Sequence, residues 1–341
     1  MTLDQAASRH LDTKSAVITR VAAALLLLGS PDSHAQAQAR VHRVGFVSPL
    51  PASPEPPTLK AFREGLQELG YVEGRNLFIA ARFAEGDTER MPDLVAQTLR
   101  QKVDVLVVGA TQGALAAKNA TPSVPVVFVG LIDPVGARLV ASLARPGGNI
   151  TGVTVGIEGP GFAAKWIELL KDAVPGISRV AVIANSTNTV GMAQVQGIQA
   201  TGKRMNVTVD VFDGGSASKL EPALASIAAS RAEALIVTND PFFAVNRSKL
   251  IEFCAAKRLP AIYFYSLFAE AGGLMAYGGS IVHSYRRAAT YVDKILKGAK
   301  PGDLPIEQPT RYEHVINLKA AKDLGLTIPQ SLLLRADHLI Q

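Results

Sequence analysis

Two hydrophobic periods alternate along the chain. Short apolar runs of strand length stand at 41–47, 77–83, 103–108, 124–129, 150–155, 179–184, 207–212, 234–237, 261–264 and 273–278. Between them, apolar residues return every three or four positions, the spacing of one helix face. The segment 56–69 places Leu59, Phe62, Leu66 and Leu69 on one side, and 88–101 does the same with Met91, Leu94, Val95 and Leu99. Further helices are predicted at 113–119, 135–143, 162–173, 190–205, 218–230, 243–257 and 284–297. Gly70 and the Pro146-Gly147-Gly148 stop punctuate the pattern where helices end,. Strands joined by single helices pair in parallel, and an unbroken apolar strand such as 103–108 belongs in the middle of a parallel sheet covered on both faces.

The clearest unit is 124–155: a strand, the loop Gly130-Leu131-Ile132-Asp133-Pro134, a helix carrying Val135, Leu139, Val140 and Leu143, then a second strand. It completes a first α/β series of five strands. A second series of similar size runs from 162 to 264. The remainder, with a strand at 314–318 and short helices at 319–324 and 329–336, belongs to both. The halves repeat a topology without repeating a sequence, so the fold expected is α/β with two doubly wound parallel-sheet lobes.

Composition adds little to this picture, except at the N-terminus. The 341 residues are 48% hydrophobic and 19% charged, ordinary for a globular protein and enough for about two domains,. Arg9, Lys14 and Arg20 precede the apolar run 21–28, and Ser33 to Ala39 offers small-x-small cleavage sites. Residues 1–37 are therefore expected to be a secretory signal peptide cut after Ala35 or Ala37, since the run is far short of the roughly 20 residues that span a bilayer. No other run is long enough, so a soluble, periplasmic product without membrane insertion is expected.

The leader's basic residues are balanced by Asp4, Asp12 and Asp32, so the mature chain keeps the net charge of +6. Its Lys and Arg are scattered, with no basic stripe interleaved with aromatics, which argues against nucleic acid as a partner. Cys254 is the sole cysteine. It allows neither an intramolecular disulfide nor a cysteine-rich zinc site, and it lies far from the cleavage region where a lipid anchor would need one.

Catalytic patterns are missing. There is no Walker loop, no Gly-x-Ser-x-Gly elbow and no His-Glu-x-x-His, and His42, His283, His314 and His338 stand singly,. The loop 156–161 has glycines in the order Gly-x-x-Gly-x-Gly, reversed from the dinucleotide fingerprint, and reads as a crossover between lobes,. No metal, no cofactor and no enzymatic activity are expected. What remains is a set of polar loops at the carboxyl ends of strands, where parallel sheets bind ligands. They carry Ser48, Glu85-Gly86-Asp87, Thr111-Gln112, Asp133, Asn185, Asn239-Asp240 and Tyr277. Helix capping accounts for any one of them, because Ser, Thr, Asn and Asp are preferred N-caps whatever the function. Their joint placement at strand ends of both halves favours a shared crevice.

The runs FREGLQELGYVEGRNL, PVVFVGLIDPVGARLVASLARPGGNITGV, RAEALIVTNDPFF, AGGLMAYGGS and PTRYEHVINLKAAKDLGLTIPQSLLLRADHLI resemble the exported substrate-binding proteins of ABC importers. Within these, the resemblance is to a family that includes tryptophan- and tyrosine-binding members, and it covers nearly all of 41–340. It implies a type I periplasmic-binding-protein fold, two lobes joined by a three-crossover hinge near 155–156, 277–278 and 306–307. Lobe 1 would hold 41–155 and 279–306, and lobe 2 would hold 156–278 and 307–341. The implied function is capture of one amino-acid-like or carboxylate-bearing molecule by hinge closure, by a monomer that delivers it to ABC permease membrane subunits. Ser48 and Thr111 are then expected to donate to a carboxylate and Asp133 or Asp240 to accept from an ammonium. Asn185 and Asn239 would contact the ligand from the second lobe, Tyr277 would border the ligand pocket at the hinge, and Phe83, Phe242 and Tyr265 are candidate walls. Two other readings stay open at this point: a secreted enzyme on the same scaffold, and a sensory binding module that reports to a receptor.

Overall fold

The computed structural model describes residues 40–52, 56–156, 160–309 and 312–341. The leader assigned to 1–37, with both cleavage positions, and 157–159 of the glycine loop lie outside the described residues. Among the described residues no helix is long and apolar enough to cross a membrane.

The first sheet consists of β1 (His42–Ser48), β2 (Leu77–Phe83), β3 (Val105–Gly109), β4 (Val126–Leu131) and β5 (Ile150–Thr154). The order is β2-β1-β3-β4-β5, parallel throughout. Alternation along β3 sorts its residues between two cores. Val105 and Val107 join the core that contains Phe62 and Leu66 of α1 (Pro57–Glu68). Leu106 and Val108 join a second one with Leu94 and Val95 of α2 (Met91–Leu99) and Ala114 of α3 (Ala110–Ala120).

The connection from β4 to β5 is not the helix that its periodicity predicts. The chain makes turns over this stretch, and Arg138 has φ 54, a left-handed backbone that cannot continue a right-handed helix,. Ala141 N–H bonds instead to the Pro146 carbonyl at 2.8 Å. Leu139 and Val140 are buried all the same and plug the sheet face that a helix would have covered.

The second series comprises α4 (Pro160–Ala173), β6 (Arg179–Ala184), α5 (Thr189–Arg204), β7 (Thr208–Asp213), α6 (Ala217–Ala229) and β8 (Ala234–Val237). The expected helix 243–257 is two helices, α7 (Pro241–Val245) and α8 (Arg247–Lys257), parted at Asn246, whose side-chain N–H donates to the Phe242 carbonyl. Next come β9 (Ala261–Tyr263), α9 (Ser266–Glu270) and β10 (Met275–Gly278), and after them α10 (Ile281–Leu296). The chain ends with β11 (Glu313–Asn317), α11 (Leu318–Asp323), α12 (Gln330–Leu333) and β12 (His338–Ile340). The sheet order is β12-β11-β10-β9-β8-β6-β7. It is parallel except where β11 runs antiparallel to β10, so the second sheet is mixed and not purely parallel.

Helix α10 packs on the first sheet although it follows the second one in sequence. It crosses α1 so closely that a Cβ on Gly65 would lie 2.8 Å from the Arg286 carbonyl oxygen, which only glycine tolerates. Tyr71 donates its hydroxyl to Asp293 at 3.0 Å in the same contact. The chain therefore passes three times between the sheets, and the passages lie side by side. A Cβ on Gly279, just after β10, would fall 2.4 Å from the Val155 carbonyl oxygen just after β5. The third passage runs along β5, with Thr154 N–H donating to the Glu307 carbonyl at 2.9 Å. Arg287 of α10 holds the Glu307 carboxylate with a two-pronged fork, 2.8 and 2.5 Å.

Candidate ligand-binding site

Strand order reverses at one place in each sheet. In the first, β2 and β3 flank β1; in the second, β7 and β8 flank β6. The helices and loops that leave such a switch point diverge to opposite faces and open a crevice between them. Ser48 and Gly109 end β1 and β3, while Asn185 and Asn239 follow β6 and β8 within two residues. The two crevices face each other across a cavity of about 300 Å³.

The first lobe contributes the start of α3, with Ala110, Thr111 and Gln112, and the end of β4, with Gly130 and Ile132. No side chain caps α3, so the N–H groups of its first turn, at the positive end of the helix dipole, are not occupied by a capping oxygen,. Ala110 has φ 60, a left-handed conformation that costs a non-glycine residue about 1–2 kcal/mol,. Gly130 has φ 85 and sits at a register shift in the pairing of β4 with β5, which turns the strand end into the cavity wall,.

Asn188, Val190, Asn239, Pro241 and Tyr265 form the opposite wall. Behind them a polar network fixes two loops together. Asp240 caps α7 by accepting from Phe242 N–H at 2.7 Å, and its other oxygen accepts from the side-chain amides of Asn185 at 2.9 Å and Asn188 at 2.8 Å. Burial pushes the Asp240 carboxyl above the usual range, against the opposing pull of these hydrogen bonds,. Asn188 has no spare capacity. Its oxygen caps α5 through Val190 and Gly191 N–H, and its amide donates to the Asn239 carbonyl as well as to Asp240. Gln194, one turn into α5, accepts from Asn239 N–H at 2.9 Å. The Asn239 side-chain amide pairs with the Tyr265 hydroxyl, while its Oδ1 has no partner.

Thr111 and Asn239 therefore line one cavity from opposite sides, and Asp240 and Asn185 stand one layer behind it. Ser48 is fully buried beside them, its hydroxyl accepting from Leu50 N–H and bonded to Tyr285, whose oxygen packs over Gly109. Asp133 is not brought to the cavity. It is exposed, and its carboxylate accepts from Gly136 N–H at 2.7 Å within the β4–β5 turn. Tyr277 also lies elsewhere, stacked on Phe162 with centroids 5.4 Å apart and giving its carbonyl to the Trp166 indole N–H. Of the three candidate walls only Tyr265 lines the cavity. Phe83 packs on Phe46, and Phe242 packs edge-on against Phe243.

Asn188, Val190 and Gln194 are missing from the sequence-derived set. Asn188 stands in the loop already singled out after β6, three residues after Asn185, so its position was visible although its role in joining two loops was not. Gln194 had no signal, being one polar residue on a helix face. At the rim the lobes touch: Gly86, in the turn after β2, meets Val245 at the end of α7. A second cavity, of about 430 Å³, lies at the amino end of the second sheet against Cys254 and Tyr263 and touches none of these loops.

Residues 55–340 match the model of the family described as ABC transporter substrate binding protein. The chain belongs to this family. It is 26% identical over 267 residues to the tyrosine-binding protein of Clostridioides difficile (strain R20291), covering 78% of this chain and 76% of that protein. Among solved structures, a conserved domain protein from Vibrio cholerae superposes with a TM-score of 0.79 at 26% identity, over 88% of this chain and all of the other. The ABC domain from Streptococcus pneumonia in complex with L-Trp gives a TM-score of 0.78 at 27% identity, over 87% of this chain and all of the other. The family and the fold are those of solute-binding proteins, and the two-lobed type I architecture expected from the sequence is the one found.

Proposed function

We propose that this substrate-binding protein captures an amino-acid-like or carboxylate-bearing molecule in the cavity between the lobes and hands it to the membrane subunits of an ABC importer. The observation that carries the reading is the pairing of opposed polar groups there: the uncapped first turn of α3 with Thr111 on one side, and the unpartnered Asn239 oxygen on the other. A carboxylate is favoured at the α3 terminus, where free N–H groups and the helix dipole converge. Thr111 adds a hydroxyl donor, with Ser48 supporting the same strand ends through Tyr285. Asp240 and Asn185 brace the second wall, and Tyr277 belongs to the hinge. The relatives that bind tyrosine and L-Trp support an amino acid as the ligand class.

The moving units in this reading are 41–155 with 279–306 and 156–278 with 307–341, turning about the three adjacent passages. A ligand that touches both walls stabilises the closed arrangement and shifts the population towards it. The protein works as an exported monomer in the periplasm, and the membrane subunits read the closed form. Thermal unfolding of the purified mature chain against a panel of amino acids, organic acids, nucleosides and sugars tests this. A true ligand at about 100 times its Kd adds about 2.7 kcal/mol. If amino acids and carboxylates leave the melting temperature unmoved while a sugar or nucleoside raises it, the assignment of ligand class is wrong.

A further inference from the structure

The sequence offers two acids, Asp133 and Asp240, as partners for a ligand ammonium, and neither is free to serve. Asp133 lies outside the cavity and spends an oxygen on Gly136 N–H. Asp240 accepts from three protein donors and sits behind Asn188, so it reaches the ligand only through space. Among the described residues, the cavity lining contains no acidic or basic side chain. It does contain an acceptor without a donor. Asn239 is 6% exposed, its backbone N–H is taken by Gln194, its carbonyl by Asn188 and its amide group by Tyr265, and Oδ1 alone is left over. A buried acceptor with no partner costs about 1–3 kcal/mol, a cost that a ligand donor at this position removes. Two backbone hydrogen bonds and the side-chain contact with Tyr265 hold the residue in place.

We infer that Asn239 Oδ1 receives a hydrogen donor of the ligand, and that this neutral amide separates α-amino acids from carboxylic acids of the same shape that lack the amino group. The inference rests on the function proposed above. A site built to hydrogen-bond an N–H rejects an analogue without it, because the buried acceptor is then left bare. Asp240 is held behind the wall by three protein donors, which leaves the discrimination to an uncharged acceptor.

The test uses matched probes, L-tyrosine and L-tryptophan against 3-(4-hydroxyphenyl)propionate and 3-(indol-3-yl)propionate, with affinities measured by calorimetry on the mature protein and on Asn239→Leu and Asn239→Asp. The wild type is expected to prefer the amino acids by about 10- to 100-fold, the range of a charge-assisted hydrogen bond. Asn239→Leu should erase that preference, whereas Asn239→Asp, which keeps an acceptor, should retain it. The two variants fail together if the change merely unfolds the loop, and melting temperatures in the absence of ligand identify that case. Asn239→Asp folded and unselective would overturn the inference. So would a wild type that binds both members of each pair equally, and so would Asn239→Leu remaining selective; in either case the small-carboxylate reading survives. If no member of either pair binds, the amino-acid reading and the inference both fall.

Discussion

Gly86 and Val245 touch across the gap between the two lobes: a Cβ built on Gly86 would lie 2.9 Å from Val245 Cγ2. The contact is as tight as a backbone atom allows, and Gly86 also has φ 84, so two separate constraints meet at one residue,. Enlarging either partner should prevent the rim from closing. Gly86→Ala carries a backbone penalty of its own, about 1–2 kcal/mol, so Val245→Trp is the cleaner probe. Val245→Trp is expected to weaken binding of the cavity ligand by tenfold or more, about 1.4 kcal/mol, with little change in the melting temperature of the free protein. Its scattering radius with ligand should stay at the value without ligand. Unchanged affinity would mean that the lobes close without bringing these residues together.

Ala110 pays a conformational penalty at the mouth of α3, beside Thr111. Gly in its place adopts φ 60 without strain but is more flexible in the unfolded chain,. Ala110→Gly should therefore raise unfolding stability by about 0.5–1 kcal/mol, read as a higher urea midpoint at constant m-value. Thr111→Val should act oppositely on function. It keeps volume and removes the hydroxyl donor, so stability holds while affinity for a carboxylate ligand falls about tenfold. Equal loss of affinity for carboxylate and uncharged ligands would show that Thr111 shapes the wall only.

Much of the fold was legible because parallel sheets write it in unbroken apolar strands: β3 and β8 have no polar residue to confuse the period, and β6 has only Arg179 at its start. The β4–β5 connection was misread for a physical reason. Leu139 and Val140 fall at helical spacing because they both face the sheet, and burial alone fixes that spacing whether the backbone is helical or turned. The left-handed Arg138 that decides between them leaves no mark in an arginine. The lining of the candidate cavity was half legible. Thr111 and Asn239 were reachable as polar residues after strands, whereas Asp133 fits the same description and serves a turn, because capping and ligand binding ask for the same residue types. Long-range partners such as Gln194 with Asn239 carry no local pattern at all.

His314 gives the fold a pH dependence. The ring is buried in β11, opposite Tyr277 in the pairing with β10. Burial lowers its pKa; the Arg335 carbonyl, 3.4 Å from Nδ1, raises it, while the Arg335 and Lys165 charges lower it and Asp337 raises it. The folded chain thus takes up this proton at lower pH than the unfolded chain, for which about 6.5 is ordinary. Below that value the unfolded state binds more protons, so stability from this group is present above about pH 6.5 and is lost on acidification, with a slope of at most about 1.4 kcal/mol per pH unit. Urea titrations between pH 7.5 and 5 should show the decline, and His314→Phe should flatten it. An identical slope in the variant assigns the decline to other groups.

Trp166 is the only tryptophan of the chain, and it is placed where a fluorescence signal has mechanical meaning. Its indole N–H donates at 2.8 Å to the carbonyl of Tyr277, next to the glycine pair that leads into α10, and its ring packs edge-on against Phe162 at 5.1 Å. The side chain is fully buried, so its emission should be blue-shifted in the folded protein. If the lobes turn about the passage after β10, the Tyr277 carbonyl moves with that passage, and the hydrogen bond to Trp166 lengthens or tightens. Ligand addition is then expected to change the emission intensity with the same midpoint that calorimetry gives. Trp166→Phe fills most of the space but leaves the Tyr277 carbonyl without its donor, at a cost of about 1–3 kcal/mol. A lowered melting temperature with ligand affinity preserved would place Trp166 in the frame of the hinge. A variant that keeps its stability and loses affinity would instead put the indole in the closing motion itself.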